Sequence, residues 1–295
     1  MSSFEKSTIV RFKNRLIRSR FRLAEYAAPG RAGRAACDLW FTAPPRMAAT
    51  PVPDGGQPFA VEAQGHVVRG MVWGEGSRTV YLVHGWGGRG AQFGAMVTPL
   101  LEAGHRVVMF DGPSHGDSDP GPAGPGRTHG VELARALDEV FCRFGPAEAV
   151  VAHSMGTIST YLALRYGWLG AQRLVFIAPM VESESLFDQF QAALGFGPRV
   201  RAAFDGAVDE FIGVGVREFD ARVQARYVEP LPTLVITDRG DRQTPYADVV
   251  DLAESIGAPL VTTEGLGHRK ILRDPAVVEQ VVDFVSSERR LDRSA

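Results

Sequence analysis

The sequence predicts an α/β protein: a mostly parallel central sheet flanked by helices, with a helical lid insertion and an N-terminal helical extension. Three observations predict it. From Pro58 onward, short apolar runs alternate with stretches of helical periodicity. Several of those runs are apolar throughout, as strands buried on both faces are. The polar residues of interest fall just beyond the carboxyl ends of the runs, where open α/β sheets bind ligands.

Each element follows from its local pattern. Residues 59–63 and 66–73 read as two strands joined by a Gln64-Gly65 turn. Residues 79–83 form a buried strand, followed by the Gly-rich stretch from His84 to Gly88 and a helix carrying Phe93, Val97, Leu100 and Leu101. Residues 106–110 are the next strand, ending at Asp111 and a turn. A helix over 128–144 leads to the strand before Ser154, then another helix and the buried strand 174–177. Near the end come a strand at 234–236, a helix at 247–256, a strand at 260–262 and a last helix at 275–285, with Pro275 at its first turn.

Between Met180 and Pro230 the alternation stops. Two or three amphipathic helices are expected, one carrying Leu186, Phe187, Phe190 and Leu194, another Phe204, Val208, Phe211 and Ile212. Their insertion directly after a strand's carboxyl end predicts a lid over that edge. The expected organisation is a basic helical extension over 1–46, an α/β core over 47–180 and 230–295, and a lid over 181–229.

A chain of 295 residues with 45% hydrophobic content can bury a sizeable core. A net charge of −2 argues against a dedicated nucleic-acid binder. Cys37 and Cys142 lie far apart without metal-ligand spacing and read as structural thiols in a reducing compartment. No apolar run is long enough to span a membrane, and the basic N-terminus lacks the apolar core of a signal peptide. The expectation is a soluble cytoplasmic protein.

The charge is uneven: the first 46 residues hold ten Lys and Arg against three Asp and Glu. Ile9, Phe12, Leu16 and Leu23 recur there at helical spacing among arginines. Such a helix can lie on an anionic membrane surface. The preferred expectation is that its apolar face docks on the main domain or a second subunit. Pro29-Gly30 ends this helix, and Ala43-Pro44-Pro45 ends the next segment.

Chemistry concentrates at Ser154, in the run Ala152-His153-Ser154-Met155-Gly156. An apolar segment ends in a serine with small residues two before and two after, as a sharp strand-to-helix turn requires. The first position is Ala152, where Gly is usual. An exposed serine needs a base, and the base needs an acid to orient it. Of seven histidines only His268 follows Ser154, in a Gly-rich loop just beyond a strand. Two acids follow the strand ending at Ile236-Thr237, namely Asp238 and Asp241. Asp241, further round the loop, is preferred; Asp238 abuts the strand and is explained by a turn or an ion pair with Arg239.

The resulting order, Ser154, Asp241, His268, resembles that of the alpha/beta-hydrolase superfamily. The resemblance runs from about Phe59 to the C-terminus and is nearest the serine aminopeptidase/lysophospholipase-like group and small bacterial esterases. His84-Gly85-Trp86-Gly87 is similar to the family's oxyanion loop, and residues 111–118 to its Asp-x-x-Gly-His-Gly-x-Ser turn, with Ser114 in place of the first Gly. The resemblance implies an alpha/beta-hydrolase fold and an oxyanion hole from the backbone N–H groups of Trp86 and Met155. It also implies a cofactor-free, metal-free serine hydrolase with a catalytic triad, acting on a carboxylic ester or thioester of a small-molecule acyl substrate. The alternatives are a small amide or peptide hydrolase, a cofactor-free perhydrolase, or a binding protein that kept the fold. His84, His115 and His153 are read as structural.

Overall fold

In the computed structural model of the protein, residues 16–44, 51–213 and 215–287 are described. The strands are β1 (Gln57–Ala63), β2 (His66–Trp73), β3 (Thr79–Val83), β4 (Arg106–Phe110), β5 (Ala147–His153), β6 (Leu174–Ile177), β7 (Thr233–Asp238) and β8 (Leu260–Thr263). The helices are α1 (16–27), α2 (Pro29–Trp40), α3 (Gly94–Glu102), α4 (Gly130–Phe144), α5 (Gly156–Arg165) and α6 (Glu184–Leu194). They continue as α7 (Pro198–Ile212), α8 (Ala221–Ala225), α9 (Tyr246–Ser255), α10 (Gly267–Lys270) and α11 (Pro275–Ser286).

The chain divides into two compact units. One, Ala43–Val181 with Asp220–Ala295, carries the sheet. The other joins the chain up to Thr42 with Glu182–Phe219.

The sheet has eight strands in the order β1-β2-β4-β3-β5-β6-β7-β8. β1–β2 and β2–β4 are antiparallel, and every other pair is parallel. Gln64 and Gly65 both take positive φ, +51° and +78°, the conformation that a two-residue hairpin turn matched to strand twist demands. β3, β6 and β7 are buried at every position, whereas the edge strand β1 alternates. Continuous apolar runs thus mark the parallel centre and alternation marks the antiparallel edge.

Helices cover both faces of this sheet. Val80 and Leu82 of β3 pack in one cluster with Met96 and Leu100 of α3 and Val281 and Val285 of α11. The intervening Tyr81 donates its hydroxyl to Gly145 O, at the end of α4 on the opposite face. From β3 the chain crosses to β4 on one side, then returns to β5 on the other. Such a reversal, here at the carboxyl end of β3, is the general ligand position of open α/β sheets. Register aligns the strand ends there: Val83 faces Ala152, His153 faces Ile177, Ile177 faces Ile236, and Asp238 faces Thr263.

In the other unit, the N-terminal extension and the insertion, expected as separate pieces, share one core. Trp40 meets Phe187 and Phe190 edge-on, both at 5.0 Å, and Phe204 packs on Phe187 at 4.9 Å. A Cβ on Gly33 of α2 would lie 2.5 Å from the backbone of Ala203, so glycine lets α2 and α7 pack backbone to backbone. Glu182–Phe219 is the part of the insertion that belongs to this compact unit. Asp220 caps α8 through the N–H groups of Arg222 and Val223, and Ala221 N donates to Val181 O at 2.6 Å, which ties the stalks together.

Within the single chain, the expected apolar docking face of the N-terminal helix is exposed. Leu16 and Leu23 are 47% and 72% exposed. α1 docks instead through Arg18, Phe21 and Glu25. Arg18 donates to Ala192 O, and Phe21 packs on Phe196. The buried Glu25 carboxylate accepts from Gly197, Arg199 and Val200 N at 2.8–3.1 Å, satisfying the orphan amides that open α7. Pro29 both ends α1 and starts α2. Ile9 and Phe12 lie outside the described residues.

Candidate active site

Ser154 occupies the corner between β5 and α5 with φ +54°, a left-handed conformation costing a non-glycine residue about 1–2 kcal/mol. Three backbone bonds hold it: Ser154 N to Ile177 O at 3.2 Å, and Ser154 O accepting from Thr157 N and Met180 N at 3.0 and 3.1 Å. The corner is cramped. A Cβ on Gly85 would come 2.6 Å from Ser154 Cβ, and one on Gly156 would come 2.6 Å from Val83 O. Both glycines are therefore dictated by the elbow. Ala152, fully buried in β5, keeps its methyl group where glycine is usual.

His268 lies at the start of α10, and its Nδ1 is 2.7 Å from Asp241 Oδ2. Both side chains are almost wholly buried. Asp241 also accepts from Gln243 N at 2.7 Å, Thr244 N at 3.3 Å and Thr244 Oγ1 at 3.0 Å. Burial alone would raise its pKa. The bonds from His268, Gln243 and Thr244 outweigh burial and hold the carboxyl below the usual range. An ionised carboxylate only accepts, so Nδ1 of His268 carries a proton, and in the neutral ring the lone pair is on Nε2.

The other acid has different work. Asp238 Oδ2 accepts from Leu266 N and Thr263 Oγ1, both at 2.9 Å, and Oδ1 from Gly240 N at 2.9 Å. Asp238 thus pins the loop leading to His268 and leaves the imidazole to Asp241.

Ser154 and His268 are brought together through His153. His153 Nε2 lies 2.8 Å from His268 O, and the two rings pack at 4.6 Å. A carbonyl only accepts, so Nε2 is the donor. Nδ1 is then free to accept from Gln92 Nε2 at 3.3 Å. Burial, with the neighbouring His268, pushes His153 down to about 3, so it is neutral near pH 7. No hydrogen bond joins Ser154 Oγ to His268 among the described residues. Gln92 has no sequence signal; its part emerges only from the fold, which turns it towards the residue before Ser154.

The loop from His84 to Gly88 is braced against the turn after β4. His84 Nδ1 donates to Gly85 O at 2.7 Å, and its Nε2 accepts from Gly112 N at 2.8 Å. His115 Nδ1 donates to Pro113 O at 3.0 Å, and its Nε2 accepts from Gly87 N at 2.9 Å. Burial pushes these imidazoles down to about 4 and about 3, so both are neutral braces. Asp111 accepts from Gly90 N and Asp117 N. A Cβ on Gly116 would collide with the Asp111 carboxylate. Ser114 takes φ +61°, which explains the glycine usual at that position, and its hydroxyl donates to Arg127 O at 2.8 Å. Among the described residues the backbone N–H groups of Trp86 and Met155 have no acceptor. No group of three or more His, Cys, Asp or Glu among them could hold a metal ion, and no helix is long and apolar enough to cross a membrane.

The model of the alpha/beta hydrolase family matches residues 80–281. No protein of curated function matches the chain. Among solved structures, an esterase of Pyrococcus furiosus is similar, with a TM-score of 0.63 at 17% identity over 83% of this chain and 97% of that one. An esterase of Exiguobacterium antarcticum has a TM-score of 0.60 at 20% identity over 77% and 99%. The thioesterase domain of the curacin biosynthetic pathway has a TM-score of 0.58 at 16% identity over 79% and 100%. Identities this low speak to the fold alone.

Proposed function

The chain belongs to the alpha/beta hydrolase family, and from that premise we propose that it is a serine hydrolase cleaving a carboxylic ester or thioester through an acyl-enzyme. One observation carries this reading: the short His268–Asp241 bond leaves Nε2 as the free acceptor of a histidine tethered to the residue before a strained serine.

Ser154 Oγ attacks the acyl carbon while His268 Nε2 takes its proton. Asp241 holds the productive tautomer and stabilises the imidazolium. The oxyanion receives hydrogen bonds from Trp86 N and Met155 N, each such donor contributing about 3–4 kcal/mol in the transition state. His268 then protonates the leaving alkoxide or thiolate. Water attacks the acyl-enzyme, giving up its proton to Nε2, and the acid departs with Ser154 restored. No metal or cofactor enters these steps. The Ser154–His268 bond closes as substrate binds, as catalytic hydrogen bonds commonly do.

The insertion leaves the sheet unit just beyond β6, at the sheet edge that carries these residues. That point of departure supports a role as a lid governing substrate entry. Cys37 and Cys142, neither of them in a disulfide among the described residues, are in keeping with the proposal of a reducing, cytoplasmic setting.

The test is hydrolysis of an ester panel of varied acyl length, with thioesters and aminoacyl anilides beside it. Turnover of esters or thioesters, lost in Ser154→Ala, supports the proposal. Turnover of anilides alone moves the assignment to an amide hydrolase, and peracid formation without hydrolysis to a perhydrolase.

A further inference from the structure

The first described helix is amphipathic in the wrong sense for a docked helix. Its inward face is mixed: Arg18 bonds Ala192 O, Phe21 packs on Phe196, and the Glu25 carboxylate caps α7. Those positions repeat at three and four residues and share one side of the helix. Leu16 and Leu23, two turns apart, lie about 180° away from them, with Tyr26 beside. They are 47%, 72% and 80% exposed. The helix is thus anchored by its polar side and presents its leucines outward, the reverse of a surface helix packed on a core.

This is a concentrated feature. Of seven large apolar side chains exposed among the described residues, five lie between Leu16 and Leu39. Three of them, Leu16, Leu23 and Tyr26, lie on the outward side of α1; scattered exposed leucines are ordinary, but apolar side chains grouped on one helix face point to a partner. The charge around that face says which. Arg20 and Arg22 are exposed on either side of it. The one acid of this helix, Glu25, is buried and spent on α7. Within the described part of α1 the apolar face is therefore flanked by cations alone.

We propose that the outward face of α1 binds the surface of an anionic lipid bilayer, with Leu16, Leu23 and Tyr26 seated at the acyl–headgroup boundary and Arg20 and Arg22 on lipid phosphates. Apolar side chains flanked by arginine are what interfacial helices use, and a tyrosine places its ring and its hydroxyl at such a boundary. A protein partner of ordinary composition would not select for this one-sided charge. The inference is independent of the hydrolase reading, since it uses no residue of the Ser154 site.

The experiment is flotation of the full-length protein with vesicles of phosphatidylcholine alone or mixed with phosphatidylglycerol. Binding is expected to be at least tenfold stronger to the anionic vesicles and to fade as salt rises. Arg20→Ala with Arg22→Ala should weaken it by roughly thirtyfold at low salt. Leu23→Glu should abolish it while the melting temperature stays unchanged. Equal binding to both vesicle types, binding retained by Leu23→Glu, or no binding at all overturns the proposal. So does a wild-type dimer in solution that Leu23→Glu converts to monomer, which would make the face an interface between copies of the chain.

Discussion

The two units of this molecule differ in how hydrophobic pattern relates to burial. In the sheet unit they agree: the apolar runs of β3, β6 and β7 are buried throughout, and the strand ends carry the polar groups. In the other unit they part company at α1, where Leu16 and Leu23 face outward and Glu25 is buried. Agreement is what folding alone produces. Disagreement marks a surface shaped by something besides the fold, and the two units should respond differently to substitution.

The largest effects belong to the sheet unit and fall on activity. Ser154→Ala and His268→Ala should each lower kcat by about 10⁴–10⁶-fold with little change in melting temperature, and the double variant should lose scarcely more. Steady-state kinetics on the best ester checks this, and additive losses would show that the two do not act as a unit. The acid loop comes next. Asp241→Asn should cost about 10⁴-fold in kcat by presenting the wrong group to Nδ1. Asp238→Asn should instead spare kcat within tenfold and destabilise by about 1–3 kcal/mol, because an amide cannot accept from Leu266, Thr263 and Gly240 together.

Stability effects are smaller. His84, His115 and His153 are held neutral by burial, at about 4, 3 and 3, against 6.5 when unfolded. Below pH 6.5 the unfolded chain binds protons that the folded one refuses. Stability is therefore full above pH 6.5 and declines as pH falls towards the folded values, by about 2 kcal/mol per histidine at pH 5. Denaturant melts at pH 8 and pH 5 measure this, and His153→Phe should shrink the difference. In the other unit, Glu25→Ala strands three amide donors and should cost about 2 kcal/mol, read in the same melts.

The contrast between the units also explains what could be read from sequence. The central strands and the elbow were legible because burial on both faces and a cramped corner leave direct marks: continuous apolar runs, Gly85 and Gly156. The separate tasks of Asp238 and Asp241 were partly legible, from distance along the loop. Gln92, bonded to His153, and Glu25, capping a helix more than 170 residues away, were not. Their partners are distant in sequence, and a polar side chain leaves no periodic trace. The exposure of α1's outward face was not legible for the opposite reason: periodicity reports that a helix has an apolar side, not what covers it.

The central claim is that Ser154 is the nucleophile, and fluorophosphonate labelling with peptide mapping tests it most directly. The account predicts one adduct per chain, on Ser154, that disappears in Ser154→Ala and slows severely in His268→Ala. Labelling of the Ser154→Ala protein at another serine, or none of the wild type while esters are still turned over, would contradict it.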